Sequence, residues 1–125
     1  MRGKKIVLDL EFIPYRRKQE PYCVHEIIEI GAVALDADNE IYDEFQMYVK
    51  PQYGTVPPFV TAITGITNEM LVGQVSFSEA MQAFEAWLPQ EDSYRFYTWS
   101  GSDQHVFQAE AEWKERPLLG NFYGW

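Results

Sequence analysis

A chain of 125 residues, 46% hydrophobic and 16% aromatic, can bury a core of its own and reads as a single domain over residues 1–125. Its formal net charge of -9 excludes polyanion binding over the whole surface, so any nucleic-acid partner must be held locally, and the single Cys23 excludes an internal disulfide. No apolar run of about 18 residues is present to cross a membrane, and the basic first residues lead into a run broken by acids rather than a signal-peptide core, so a cytoplasmic protein is expected.

The first element, Lys4 to Phe12, is apolar yet carries Asp9 and Glu11. Strand alternation points Ile6, Leu8, Leu10 and Phe12 one way and Val7, Asp9 and Glu11 the other. The two acids then stand roughly 7 Å apart along the strand. Near a sheet centre they repel each other unless a cation intervenes, and hard oxygen ligands suit Mg²⁺ or Mn²⁺. From this segment alone, a strand edge with solvated acids is equally compatible.

A polar loop is expected from Ile13 to Tyr22, with Pro14, Pro21 and the basic triplet Arg16-Arg17-Lys18. The triplet either draws phosphates toward the acids or is simply solvated. His25 to Leu35 suits a second strand, in which Gly31 hints at a bulge or a close backbone approach. Asp36-Ala37-Asp38-Asn39 is turn-forming, and Ile41 to Val49 reads as the returning strand of a hairpin. Three antiparallel strands in sequence result.

Pro51, Gly54, Pro57 and Pro58 end the sheet. Phe59 to Thr64 reads as a short helix stopped by Gly65 in a left-handed conformation, and Thr67 to Leu71 as a second capped turn. Ser76-Phe77-Ser78-Glu79 fits a capping box, after which Phe77, Ala80, Met81, Phe84, Trp87 and Leu88 recur on one helical face. Tyr94 to Trp99 reads as a fourth strand, and Asp103 starts a helix through Lys114. After a crossover helix, that strand can lie parallel to the first and bring Asp103 near Asp9 and Glu11.

Asp9-Leu10-Glu11, Glu26-Ile27-Ile28-Glu29-Ile30-Gly31-Ala32-Val33, Tyr48-Val49-Lys50-Pro51, Ile63-Thr64-Gly65-Ile66-Thr67 and Thr98-Trp99-Ser100-Gly101-Ser102-Asp103 occur in the order seen in DnaQ-like (DEDDh-type) 3′-to-5′ exonucleases. The chain resembles that family from about Lys5 to Phe107. It looks most like the branch of RNA-processing exonucleases and sporulation-inhibitor homologues. The resemblance implies an α/β ribonuclease H-like fold, a mixed sheet of three antiparallel strands plus a parallel fourth, with flanking helices.

It further implies hydrolysis at the 3′ end of RNA or single-stranded DNA. Asp9 would bridge two divalent ions, Mg²⁺ or Mn²⁺; Glu11 would bind one, and Asp103 would support the second. Phe12 and the loop Thr64-Gly65-Ile66 would hold the last nucleotide, with Ile66 an apolar wedge; for Phe12 and Ile66 plain core packing is the alternative. A structural assembly protein with an unrelated mixed sheet would instead leave Asp9 and Asp103 far apart.

The family's third motif, a His followed five residues later by an Asp on a later helix, has no counterpart before Trp125. His105 and Glu110 share that spacing, but within one helix they stand about 140° apart. His25 has less claim still. An incomplete domain, truncated at its C-terminus, with weak metal binding and impaired activity is therefore expected. A catalytically inactive protein-interaction or regulatory module is the alternative. Self-association through an uncovered sheet edge is also expected, with Trp99, Trp113, Phe122, Tyr123 and Trp125 as candidates to cover it.

Overall fold

The alternating run that opens the chain becomes a strand, β1 (Lys4–Arg16), in the computed structural model, which describes residues 4–16, 23–89, 94–98 and 101–118. β1 is longer than expected, continuing through Pro14 where a loop was anticipated. The reason lies in its neighbours. β1 pairs antiparallel with β2 (Cys23–Leu35) as far as Arg16, with Pro14 opposite His25. Pro14 shares the parity of Leu10, whose N–H points away from β2, so a proline there removes no ladder hydrogen bond.

β2 turns back into β3 (Ile41–Tyr48) through the anticipated hairpin. Asp36 Oδ1 accepts from the N–H of Asp38 and of Glu40, and Asn39 adopts a φ of 63. β4 (Tyr94–Tyr97) pairs parallel with β1, from Lys4 opposite Tyr94 to Val7 opposite Tyr97. The sheet order is β3-β2-β1-β4. Gly31 is not a bulge: it sits opposite Asp9, and the register shifts lie at Glu11/Phe12 and at Ala34/Leu35.

Among the described residues there are four helices, α1 (Pro58–Thr64), α2 (Asn68–Leu71), α3 (Phe77–Trp87) and α4 (Gly101–Trp113); the first three follow the expected signals, while α4 starts two residues before Asp103, which lies inside its first turn. Gly65 closes α1 at φ 79, donating its N–H to the Thr61 carbonyl. The Ser76/Glu79 capping box starts α3.

One sheet face is covered by α3 and α4. Ile6, Leu8 and Leu10 meet Ala80, Met81 and Phe84 of α3 and Val106, Phe107 and Ala111 of α4 in the main core. Among the described residues, the opposite face is covered at one end, where Ile13 and Ile28 meet Val56, Val60, Ile66 and Leu71. Asp9 and Glu11 belong to that second face. Trp113, expected to cover an open edge, lies 5.7 Å from the Tyr53 ring; Trp99, Phe122, Tyr123 and Trp125 lie outside the described residues. Among the described residues, no helix is long and apolar enough to cross a membrane.

Candidate active site

The site begins with β1, which puts Asp9 and Glu11 on one face because strand side chains two positions apart point the same way. Val7 and Gly31 flank Asp9 in an open hollow of about 560 Å³, also lined by Glu44, Phe45 and Gln46. A larger hollow of about 730 Å³, lined by Lys50, Phe77, Glu79 and Lys114 among others, includes none of the three expected acids.

Asp103 arrives from a distant part of the chain. β4 pairs with β1 as far as Val7, so among the described residues the Leu10 N–H has no strand partner on that side. Asp103 Oδ2 accepts it at 3.1 Å. The first turn of α4 thus delivers a carboxylate to the main chain between Asp9 and Glu11, as the sequence predicted.

The electrostatics agree with this convergence. Burial raises the Glu11 carboxyl above the usual glutamate value, and the charges of Asp9, Glu29 and Asp103 raise it further. Asp103 is also raised, chiefly by burial, with the Leu10 N–H pulling it down and Asp9 pushing it up. Glu29 was not singled out from sequence. It stands directly opposite Glu11 on β2, and its Oε2 accepts from Gln46 Nε2 at 2.8 Å. Only strand register could have placed it there.

Carboxylates gathered in one place are the donor chemistry a hard divalent cation requires. Asp9 is exposed and Glu11 and Asp103 are half-buried, so a cation could reach all three. Among the described residues, no three Asp, Glu, His or Cys side chains already stand in ion-holding positions.

The remaining predicted residues divide. Gly65 is exposed, with nothing within 4 Å of where a Cβ would stand. Thr64 Oγ1 donates to the Val60 carbonyl and accepts from the Ile66 N–H, which stiffens the loop. Ile66 is not an exposed wedge: at 2% exposure it is a core residue, the packing alternative. Phe12 is half-buried against the main core, its ring edge-on to His25 at 5.3 Å. The large apolar side chains that α1 exposes are Phe59 and Ile63.

His105 is exposed while Glu110 is buried, as expected of two residues on different helical faces. Burial lowers His25, and the nearby His105 adds to the effect. Arg17 and Lys18 of the basic triplet lie outside the described residues.

Residues 6–112 match the family described as Exonuclease. The DNA polymerase III subunit epsilon of Pasteurella multocida (strain Pm70) is 37% identical over 81 residues, covering 65% of this chain and 32% of that protein. The 3'-5' exoribonuclease 1 of Homo sapiens is 33% identical over 82 residues, covering 64% of this chain and 24% of that protein. The chain therefore spans 32% or less of the length of these curated relatives. Among solved structures, cell-death related nuclease 4 (CRN-4) superposes with a TM-score of 0.79 at 22% identity, over 97% of this chain and 43% of that one. That likeness establishes the fold: the mixed, ribonuclease H-like sheet with one parallel pair.

Proposed function

The chain belongs to the exonuclease family, and on that premise we propose that it hydrolyses phosphodiester bonds from the 3′ end of RNA or single-stranded DNA. The observation that carries this reading is the bond from the Leu10 N–H to Asp103 Oδ2, which joins β1 and α4 across 93 residues of sequence. It supports a site in which Asp9, Glu11 and Asp103 act together. A relative named as an exoribonuclease and another named as a DNA polymerase subunit support a nucleic-acid substrate of either sugar.

Asp9, Glu11 and Asp103 would hold Mg²⁺ or Mn²⁺, two ions in the full family arrangement. When bound, such ions activate water and stabilise the leaving 3′ oxygen. The chain's own part is to supply hard anionic oxygens and to aim them. The Leu10 N–H orients Asp103 through one of its two oxygens. Glu11, with its raised pKa, gives up a proton to bind a cation, so affinity strengthens as pH rises. The exposed backbone at Gly65 suits close approach of a terminal nucleotide.

Self-association belongs to the same proposal. It is supported by β4 being four residues long beside a 13-residue β1, which leaves part of the β1 edge without a strand neighbour among the described residues.

The test is incubation with Mn²⁺ and 5′-labelled single strands carrying a free or a blocked 3′ end. A ladder of 3′-shortened products from the free end only, lost in Asp9→Asn, is expected. Internal cutting, or trimming that survives Asp9→Asn, would overturn the reading. Absence of Mn²⁺ binding would turn it toward a non-catalytic interaction module.

A further inference from the structure

Beneath α4 lies a buried charged network remote from the acids described above. Glu26 and Glu110 are 0% and 1% exposed, and Lys114 Nζ lies 2.9 Å from Glu26 Oε2 and 2.6 Å from Glu110 Oε2. Two buried carboxylates sharing one ammonium need further hydrogen bonds to be tolerated. The backbone supplies them. Glu26 accepts from the N–H groups of Gln52, Tyr53 and Gly54, and Glu110 Oε1 accepts from the Ile27 N–H at 2.6 Å.

The Ile27 N–H is free for this role because of a bulge. Glu11 pairs with Glu29 but Phe12 pairs with Ile27, so Ile28 is an additional residue on β2. A bulge leaves main-chain groups outside the ladder, and Glu110 takes one of them.

Asp103 and Glu110 are seven residues apart, which places them about 10.5 Å apart along the helix and within about 20° around it. Each accepts a main-chain N–H of the sheet: Leu10 of β1 for Asp103, Ile27 of β2 for Glu110. The apolar contacts of Val106, Phe107 and Ala111 hold α4 against the sheet, but apolar burial is non-directional and does not by itself favour one sliding position. Directional bonds at two points constrain it strongly.

We propose that Glu110, held by Lys114, which Glu26 anchors in turn, is a positioning residue for Asp103: it sets the register of α4 on the sheet so that Asp103 reaches the acids of β1. This rests on the exonuclease reading for its functional meaning. Burial with partial compensation by Lys114 agrees with a group kept for placement.

The test is amide hydrogen exchange by NMR on the full ¹⁵N-labelled chain, with Mn²⁺ affinity measured by calorimetry, for wild type, Glu110→Gln and Glu110→Leu. Leucine removes the acceptor and the charge while filling the space; glutamine keeps an acceptor. The expected result is an order: exchange at Leu10 rises about tenfold or more in Glu110→Leu and less in Glu110→Gln, with the Ile30 amide unchanged as a control, and Mn²⁺ affinity falls about tenfold in the leucine variant. Exchange that changes at Ile27 alone, with Leu10 and Mn²⁺ affinity as in wild type, overturns the proposal. If Glu110→Leu does not fold, Glu110→Gln decides: Leu10 and Ile27 must change together, and a change at Ile27 alone overturns it. Wild type that binds no Mn²⁺ while Leu10 still responds to Glu110 defeats the exonuclease reading and supports the positioning. Asp103-dependent Mn²⁺ binding indifferent to Glu110 does the reverse.

Discussion

Asp103 accepts the main-chain N–H of Leu10 at 3.1 Å, where the four-residue β4 has stopped and β1 continues. A helix residue therefore completes the ladder of a strand, and in doing so stands beside Asp9 and Glu11. The same contact satisfies a backbone donor and builds the acid cluster. Loss of either function is expected to disturb the other.

Stability should fall as pH rises from about 4.5 to about 7. Burial pushes Glu110 up to about 7 from 4.5, with Lys114 opposing and Glu26 adding to the rise. The folded chain then holds a proton that the unfolded chain has released, so stability is greatest at the acid side of that window and is lost toward neutrality. Glu11 and Asp103 are raised as well and act in the same direction. Urea unfolding at about pH 5.5 and 7.5 should differ by on the order of 1–2 kcal/mol. Glu110→Gln should flatten the difference; a wild-type profile that rises with pH would refute this.

Lys114→Met should be among the most damaging substitutions in the chain. It leaves Glu26 and Glu110 buried together without their shared cation. Removing one partner of a buried pair costs about 3–5 kcal/mol, which the urea midpoint would register. A loss under about 1 kcal/mol, the range of exposed pairs, would mean that water reaches the network.

Gly54→Ala tests the loop that wraps Glu26. An added Cβ would lie 3.0 Å from Ile13 Cδ1 and 3.1 Å from Glu26 Oε1, tighter than ordinary contact. Crowding of this kind costs about 1–3 kcal/mol. Thermal unfolding should show the loss, and an unchanged midpoint would show that the loop yields freely.

Ile66→Ala separates a core residue from a substrate wedge. At 2% exposure, packed among Ile13, Ile28 and Val60, truncation should cost about 2–5 kcal/mol. A variant as stable as wild type would restore the wedge reading.

What could be read from the sequence was whatever depends on near neighbours. Alternation placed Asp9 and Glu11 on one face, Gly65 stopped α1, and Ser76 with Glu79 opened α3, each governed by residues within a turn or two. Register across strands was not legible: Glu29 opposite Glu11 and the bulge at Ile28 depend on pairing, not on local pattern. Pro14 misled because its cost depends on which edge it faces, and that edge is set by the short β4. The Glu26–Lys114–Glu110 network was invisible for a related reason, since Lys114 meets Glu26 across 88 residues.

The most direct measurement is Mn²⁺ titration by calorimetry of wild type beside Asp9→Asn, Glu11→Gln and Asp103→Asn, with folding of each checked by its melting curve. Saturable binding by wild type, weakened about tenfold or more by each substitution, is the predicted result. Folded variants that bind Mn²⁺ as wild type does would contradict the shared carboxylate site.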